Sequence, residues 1–126
     1  MKNDDSAKMK VGDKASQTIS VTEKLIEQYG EASGDKNPIH SGDLKIAHGL
    51  VALGLLSQVI AERLPGPGTI IARQEIDFLA PVLVDDRLAV SVTIEEIKGR
   101  KIWLEVEGKT NGADRVLEGF CLVFTS

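Results

Sequence analysis

The stretch HGLVALGLLSQVIAERL, residues 48–64, is apolar on nearly every face as far as Ala61. A helix without a polar stripe is normally surrounded by protein on all sides. The apolar run is too short to span a bilayer, so a membrane-crossing role is not expected. We therefore predict a long helix here that lies at the centre of the fold.

Downstream of this helix the sequence changes to the period of β-strands. PGPG, residues 65–68, interrupts the chain, and apolar and polar residues alternate afterwards. KGRK at residues 98–101 and TNGADR at residues 110–115 have turn compositions that separate the later strands. Strands joined through short turns pair as antiparallel hairpins. Four strands are predicted, beginning near residues 70, 88, 102 and 116.

Upstream, a short strand and a second helix are predicted. TISV, residues 18–21, has strand composition, and Ser20 with Glu23 three residues later forms a capping-box pattern for a helix start. Gly30 weakens that helix and Gly34 ends it. Together these elements indicate an α+β domain in which an antiparallel sheet wraps around a long central apolar helix.

The whole chain, residues 1–126, is predicted to form a single domain, with residues 1–10 as a flexible N-terminal segment. The net charge of −4, spread without a basic block, argues against nucleic acid as a partner. The N-terminus lacks the apolar core of a signal peptide, and the single cysteine, Cys121, fits a reducing compartment. We expect a cytoplasmic protein with no membrane partner, in which Cys121 is a small buried apolar side chain.

The stretch GDKNPIH, residues 34–40, places a carboxylate and an imidazole in one turn. Pro38 restricts the backbone between Asp35 and His40, and Asn37 can bond to the local backbone. A carboxylate and an imidazole in fixed geometry can hold a water molecule and exchange protons with it near neutral pH. Three interpretations remain open on composition alone: an ordinary surface turn, a catalytic pair or a metal loop.

The metal interpretation has a specific ligand set. Asp35, His40, Asp43 and His48 offer oxygen and nitrogen ligands within fourteen residues, and zinc or iron could use two histidines and a carboxylate. The spacing matches no strong metal motif. The alternative for His48 is a residue at a helix start that bonds to the backbone.

The start of the central helix offers a second chemical feature. The first N–H groups of a helix have no partner within it and carry partial positive charge, so Gly49 is a candidate to hold an oxygen that becomes negative. Ser57, eight residues later, points to broadly the same side. Its hydroxyl has two possible partners, the Asp35/His40 pair or the carbonyls of its own helix.

Three stretches resemble one known family. ASGDKNPIH (residues 32–40), AHGLVALGLLS (residues 47–57) and FLAPVLVDD (residues 78–86) are similar to the MaoC-like (R)-specific enoyl-CoA hydratases, which have the hot-dog fold. The similarity runs from about Thr22 to the end of the chain. It implies a homodimer or dimer-based oligomer that joins its sheets edge to edge. It also implies reversible addition of water to a trans-2-enoyl thioester, carried by CoA or acyl carrier protein, to give the (R)-3-hydroxyacyl product.

The resemblance also implies roles for single residues. Asp35 and His40 match the catalytic pair, and Gly49 matches the residue whose N–H polarises the thioester carbonyl. Ser57 matches a serine that supports the catalytic centre, and Asn37 matches the asparagine of the motif. The implied chemistry needs no metal and no redox cofactor. Which member of the pair is the acid and which the base stays open.

The sequence departs from the family pattern in one informative place. The segment SGDLKIA, residues 41–47, is shorter than the usual connection between the catalytic histidine and the HG step. In the family this connection helps to wall the acyl pocket, so the acyl chain length is left open. An acyl-CoA thioesterase and a non-catalytic acyl-thioester-binding subunit are alternative functions for the same fold.

Overall fold

In the part of the chain that the structure describes, five strands form one antiparallel sheet, and the longer of two α-helices lies against it. The computed structural model describes residues 9–42 and 45–126; most of the predicted flexible segment at residues 1–10 therefore lies outside the described residues. The elements are β1 (Lys14–Ser20), α1 (Glu23–Ser33), a single 3-10 turn (Pro38–His40), α2 (Gly49–Glu62), β2 (Ile70–Phe78), β3 (Arg87–Lys98), β4 (Lys101–Thr110) and β5 (Asp114–Phe124).

The sheet has the strand order β1-β3-β4-β5-β2, and every neighbouring pair is antiparallel. The β3–β4 turn uses Gly99 and the β4–β5 turn uses Asn111 and Gly112, all with positive φ. Alternate residues of β3 are buried, as the period-two pattern predicts. The four predicted downstream strands are confirmed, and the opening strand is longer than TISV because it also pairs with β3 from Lys14 onward.

Helix α2 supplies the centre of the core. Leu56 and Val59 are fully buried, and the helix packs mainly on β3. Leu50 is 49% exposed and Ser57 is also exposed, so within one chain a stripe of α2 is uncovered. The expectation of protein on every side is therefore wrong for the single chain, because the sheet covers only one side of the helix. Neither described helix combines the length and apolar character needed to cross a membrane.

Helix α1 begins two residues later than the capping-box pattern indicated. Ser20 is the last residue of β1, and the cap is Thr22, whose hydroxyl oxygen accepts the Leu25 N–H at 3.1 Å. The predicted Ser20 cap is wrong because pairing with β3 keeps Ser20 in the strand. Gly34 ends the helix, as predicted, with φ of 77°, and its N–H donates to the Gly30 carbonyl.

The core confirms one prediction about chemistry. Cys121 has no exposed surface and lies opposite Leu104 in the β4–β5 ladder. Burial raises the pKa of its thiol to about 11. The thiol therefore behaves as a small apolar side chain and not as a nucleophile at neutral pH.

Backbone hydrogen bonds join the segment just before α2 to the loop between β2 and β3. The Ala47 N–H donates to the Val82 carbonyl at 2.7 Å, and the Val84 N–H donates to the Lys45 carbonyl at 3.1 Å. Ile46 forms an isolated bridge with Leu83. These contacts hold the connection from the 34–40 turn to α2 in one place.

Candidate active site

The turn at residues 34–40 is organised by side chains that bond to its own backbone. The Asp35 carboxylate accepts the Asn37 N–H at 3.0 Å, and the Asn37 side-chain oxygen accepts the Ile39 N–H at 3.2 Å. Asn37 thereby caps the 3-10 turn that Pro38 begins and His40 ends. The local-backbone bond predicted for Asn37 is present. It fixes the conformation of the backbone between Asp35 and His40.

His40 contacts the Ile46 carbonyl through one ring nitrogen and faces Asp35 with the other. Its Nδ1 lies 2.6 Å from the Ile46 carbonyl oxygen, which can only accept, so Nδ1 carries the proton. Its Nε2 lies 3.3 Å from Oδ2 of Asp35. In the neutral ring Nε2 is then an acceptor beside a second acceptor, which is an arrangement that can take both protons of one water molecule. When the ring gains a proton, the same contact becomes an ion pair.

The electrostatics of the turn keep Asp35 ionised. The N–H of Asn37 lowers the pKa of the Asp35 carboxyl below its ordinary value of 3.8, partial desolvation opposes this, and the His40 ring adds a smaller lowering. Nearly half of the Asp35 side chain is exposed, against 10% of the His40 side chain. The pair thus presents a carboxylate at an open cleft and an imidazole set behind it.

A buried histidine, His48, contacts both His40 and the backbone of Asp35. It is 4% exposed, its ring stacks on His40 with centroids 3.6 Å apart and planes at 21°, and its Nε2 lies 3.1 Å from the backbone oxygen of Asp35. The sequence indicated His48 only as a metal ligand or as a helix-start residue bonded to the backbone. A backbone bond is present, but it reaches across to the turn, and the side chain does not cap α2.

The geometry argues against the metal interpretation. One ligand atom each of Asp35, His40 and His48 lies within 4.8 Å of the others. The nitrogen lone pairs of stacked rings lie in two nearly parallel planes, however, and so do not converge on one ion. One nitrogen of each ring is also engaged with a carbonyl. Asp43, the fourth candidate ligand, lies outside the described residues.

Gly49 borders a hollow next to the cleft at Asp35 and His40. It is the first residue of α2 and is exposed, and it borders an apolar hollow of about 390 Å³. A Cβ built on Gly49 would lie 3.5 Å from the Phe78 ring, so the missing side chain leaves a gap between helix and ring. His48 borders both this hollow and a smaller one of about 200 Å³ at Asp35 and His40. The apolar hollow is lined by Ala47, Val51, Ala52, Leu79, Pro81 and Val116 among others.

The structure does not bring Ser57 to the pair within one chain. Ser57 is exposed on α2 and borders neither hollow. The likeness of its position to a supporting serine therefore stays a prediction. The Ile46 carbonyl, which fixes the proton on His40, was not among the predicted site groups, because no pattern in a sequence marks a backbone oxygen.

Comparison with known proteins agrees with the fold. A family model described as "MaoC like domain" matches residues 5–116. An R-hydratase from Pseudomonas aeruginosa, solved in the unliganded form, superposes with a TM-score of 0.89 at 30% identity, over 95% of this chain and 84% of that one. The sheet and central helix define a hot-dog protein, as predicted. The chain belongs to the MaoC-like domain family.

Two curated relatives carry the comparison further. A 3-hydroxybutyryl-CoA dehydratase from Methylorubrum extorquens is 40% identical over 78 residues, which cover 55% of this chain and 50% of the relative. An (R)-specific enoyl-CoA hydratase from Rhodospirillum rubrum is 35% identical over 95 residues, covering 68% of this chain and 66% of the relative. The chain thus spans half the length of the first relative and about two thirds of the second.

Proposed function

We propose that this protein adds water to trans-2-enoyl thioesters to give (R)-3-hydroxyacyl thioesters, and catalyses the reverse dehydration. The observation that carries the proposal is the 3.3 Å contact between Oδ2 of Asp35 and the unprotonated Nε2 of His40. The relatives named as a hydratase and a dehydratase support the same reaction. The acyl group is carried by CoA or by acyl carrier protein.

The reaction follows from the positions of these groups. Water accepted by Asp35 and His40 attacks the β-carbon of the enoyl group, and one of its protons passes to the pair. The electrons of the double bond move to the thioester oxygen, where the Gly49 N–H stabilises the negative charge. A proton from the pair then reaches the α-carbon, so the pair ends with the protons it began with. Asp35 and His40 act as one coupled unit in both steps.

The hollow at Gly49 is where the acyl chain lies in this proposal. Its walls are apolar, it has a volume of about 390 Å³, and it begins at the residue that binds the carbonyl. A substrate that enters it from the Asp35 side passes over His48, which borders both hollows. The absence of a Cβ on Gly49 leaves a gap in front of the Phe78 ring through which the thioester oxygen reaches the Gly49 backbone.

The proposal includes a homodimer joined through β2 and a cytoplasmic location. β2 is an edge of the sheet, and its end residues Ile70 and Phe78 are 65% and 54% exposed. An edge strand carries unpaired backbone groups that a second copy can pair. The uncovered stripe of α2 at Leu50 and Ser57 gives the second copy an adjoining surface to cover. Sedimentation of wild type and of Ala72→Pro, which changes an exposed residue of β2 where the register with β5 shifts, tests the dimer.

A panel of enoyl-CoA substrates of increasing length tests the function. Wild type should consume trans-2-enoyl-CoA and form only the (R) product, without releasing thiol from saturated acyl-CoA. Asp35→Asn should lower kcat by about 10²- to 10⁴-fold, the usual contribution of a general acid–base group. Asp114→Asn, an exposed carboxylate at the start of β5, is the matched control and should leave kcat unchanged.

Three results would count against the hydratase. Thiol release from saturated substrates would indicate a thioesterase. Tight binding of acyl-CoA with no turnover, equal in wild type and Asp35→Asn, would indicate a binding subunit. Loss of activity on chelation, restored by zinc or iron, would revive the metal interpretation.

A further inference from the structure

The two histidines of the chain lie against each other, one at the cleft and one in the core. His40 and His48 are the only histidines in the sequence. Their rings are 3.6 Å apart and nearly parallel, and His48 is the deeper of the two, at 4% exposed. The proposed reaction uses His40 directly, and it leaves the buried ring of His48 without a role.

Two backbone carbonyls require opposite tautomers in the two rings. The Ile46 carbonyl is 2.6 Å from Nδ1 of His40, and the Asp35 carbonyl is 3.1 Å from Nε2 of His48. A carbonyl oxygen only accepts, so the proton is on Nδ1 in His40 and on Nε2 in His48. The stack therefore pairs one Nδ1–H ring with one Nε2–H ring.

The second ring nitrogen of His48 has no hydrogen-bond partner among the described residues. This atom, Nδ1, is buried. A proton placed on Nδ1 would have no acceptor, so the free Nδ1 and the carbonyl at Nε2 both favour the Nε2–H tautomer.

Helix α1 passes close to the His48–Asp35 contact at Gly30. A Cβ built on Gly30 would lie 3.5 Å from the Asp35 carbonyl oxygen and 3.7 Å from Cε1 and Nε2 of His48. Gly30 is itself buried. The His48–Asp35 hydrogen bond therefore lies close to the α1 backbone, with room for no more than a methyl group at residue 30.

We infer that His48 is a positioning residue: its Nε2–H holds the backbone of Asp35, and its flat face holds the ring of His40, so that Asp35 Oδ2 and His40 Nε2 stay aimed at one water molecule. The structural part of this inference stands on the two carbonyl contacts and the stack. Its catalytic part rests on the proposed hydratase function.

Nuclear magnetic resonance of the imidazole nitrogens gives the first test, and it needs no turnover. In ¹⁵N-histidine-labelled wild type we expect two rings of opposite tautomer, assigned with His40→Asn, in which only His48 remains. Two rings of the same tautomer, or a His48 signal averaged between tautomers, would overturn the inference. This outcome is independent of whether the protein hydrates enoyl thioesters.

Two variants separate the donor from the ring. His48→Gln keeps an N–H for the Asp35 carbonyl and removes the stack; His48→Phe keeps the stack and removes the donor. We expect each to lower kcat at least tenfold with KM within twofold. In His48→Gln the His40 signal should move towards the tautomer mixture of a free imidazole, and in His48→Phe it should stay in the Nδ1–H form. Unchanged kcat and an unchanged His40 tautomer in folded His48→Gln would defeat the inference.

A core variant controls for loosened packing. Leu56→Ala removes a fully buried side chain that borders neither hollow, so it should lower stability and leave the His40 tautomer and kcat unchanged. If it shifts both as His48→Gln does, the effect of His48 is general packing and the inference fails. Opposite tautomers in a wild type that has no hydratase activity would defeat the proposed function and leave the positioning of the two rings intact.

Discussion

Adding one methyl group at Gly49 should stabilise the fold and damage the proposed site. In Gly49→Ala the new Cβ lies 3.5 and 3.6 Å from two Phe78 ring atoms, which is ordinary van der Waals contact. The change also replaces a poor helix former with the best one, worth up to about 1 kcal/mol within a helix. The variant should fold normally, with a midpoint of thermal unfolding equal to that of wild type or higher by about 2–5 °C.

The same methyl group fills the gap between residue 49 and Phe78 through which a thioester oxygen would approach the helix start. Side chains at a helix start lean towards the N-terminal end, which is also the side on which the first N–H groups point. The added methyl group therefore lies in the path of a thioester oxygen towards these N–H groups, and the Phe78 ring on its far side leaves the oxygen no way around it. We expect kcat/KM to fall about 10²-fold, the lower end of what loss of one oxyanion donor costs.

The assay is enoyl-CoA consumption alongside calorimetry of the same samples. In the double variant Gly49→Ala with Phe78→Ala, the gap reopens from the other side and kcat/KM should recover at least tenfold over Gly49→Ala. A Gly49→Ala enzyme that keeps kcat/KM within twofold of wild type would refute the assignment of Gly49 to the carbonyl. A loss that Phe78→Ala does not relieve would refute the closing of this gap as its cause.

Three further predictions concern stability and titration. A Cβ at Gly119 would collide with the backbone carbonyl of Glu75 on the neighbouring strand, so Gly119→Ala should cost about 2–3 kcal/mol in chemical unfolding; a change below about 0.5 kcal/mol would contradict the tight β2–β5 approach. Because burial raises the pKa of Cys121 to about 11, the native thiol should resist alkylation at pH 8 and react fully in denaturant; fast native alkylation would contradict its burial. The lowered pKa of Asp35 contributes stability that is present above the ordinary value of 3.8 and is lost as pH falls through the lowered value. The difference in thermal midpoint between wild type and Asp35→Asn, followed by circular dichroism between pH 5 and pH 2, should therefore change only below about pH 4; a difference that stays constant over this range would contradict the loss of stability on protonation of Asp35.

The fold could be predicted because its signals are local. The apolar run at residues 48–64 corresponds to α2 at Gly49–Glu62, and the alternation in β3 corresponds to alternate burial. The turn glycines at 99 and 112 have the positive φ that their compositions suggested. The start of α1 could not be placed as well, because Ser20 and Thr22 are both good caps and strand pairing decides between them.

The site could be predicted only in part. Asp35 and His40 lie five residues apart in a turn whose composition fixes its geometry. Their contact could therefore be predicted from the sequence. The stack of His48 on His40 depends on how α2 returns to the turn, which is a tertiary event with no local pattern. Ser57 shares a helix side with Gly49 by spacing, yet spacing does not tell whether that side faces the chain's own sheet or open surface.

The carbonyl of Ile46 has a consequence for how this protein is studied and altered. Its oxygen fixes where the proton sits on His40, while the Ile46 side chain takes no part in that bond. Replacing residue 46 with another amino acid leaves the peptide oxygen in place, so scanning mutagenesis would pass over it silently. Lengthening or shortening the connection by one residue moves that oxygen, and we expect such indels, rather than substitutions, to be the changes that this part of the protein does not tolerate.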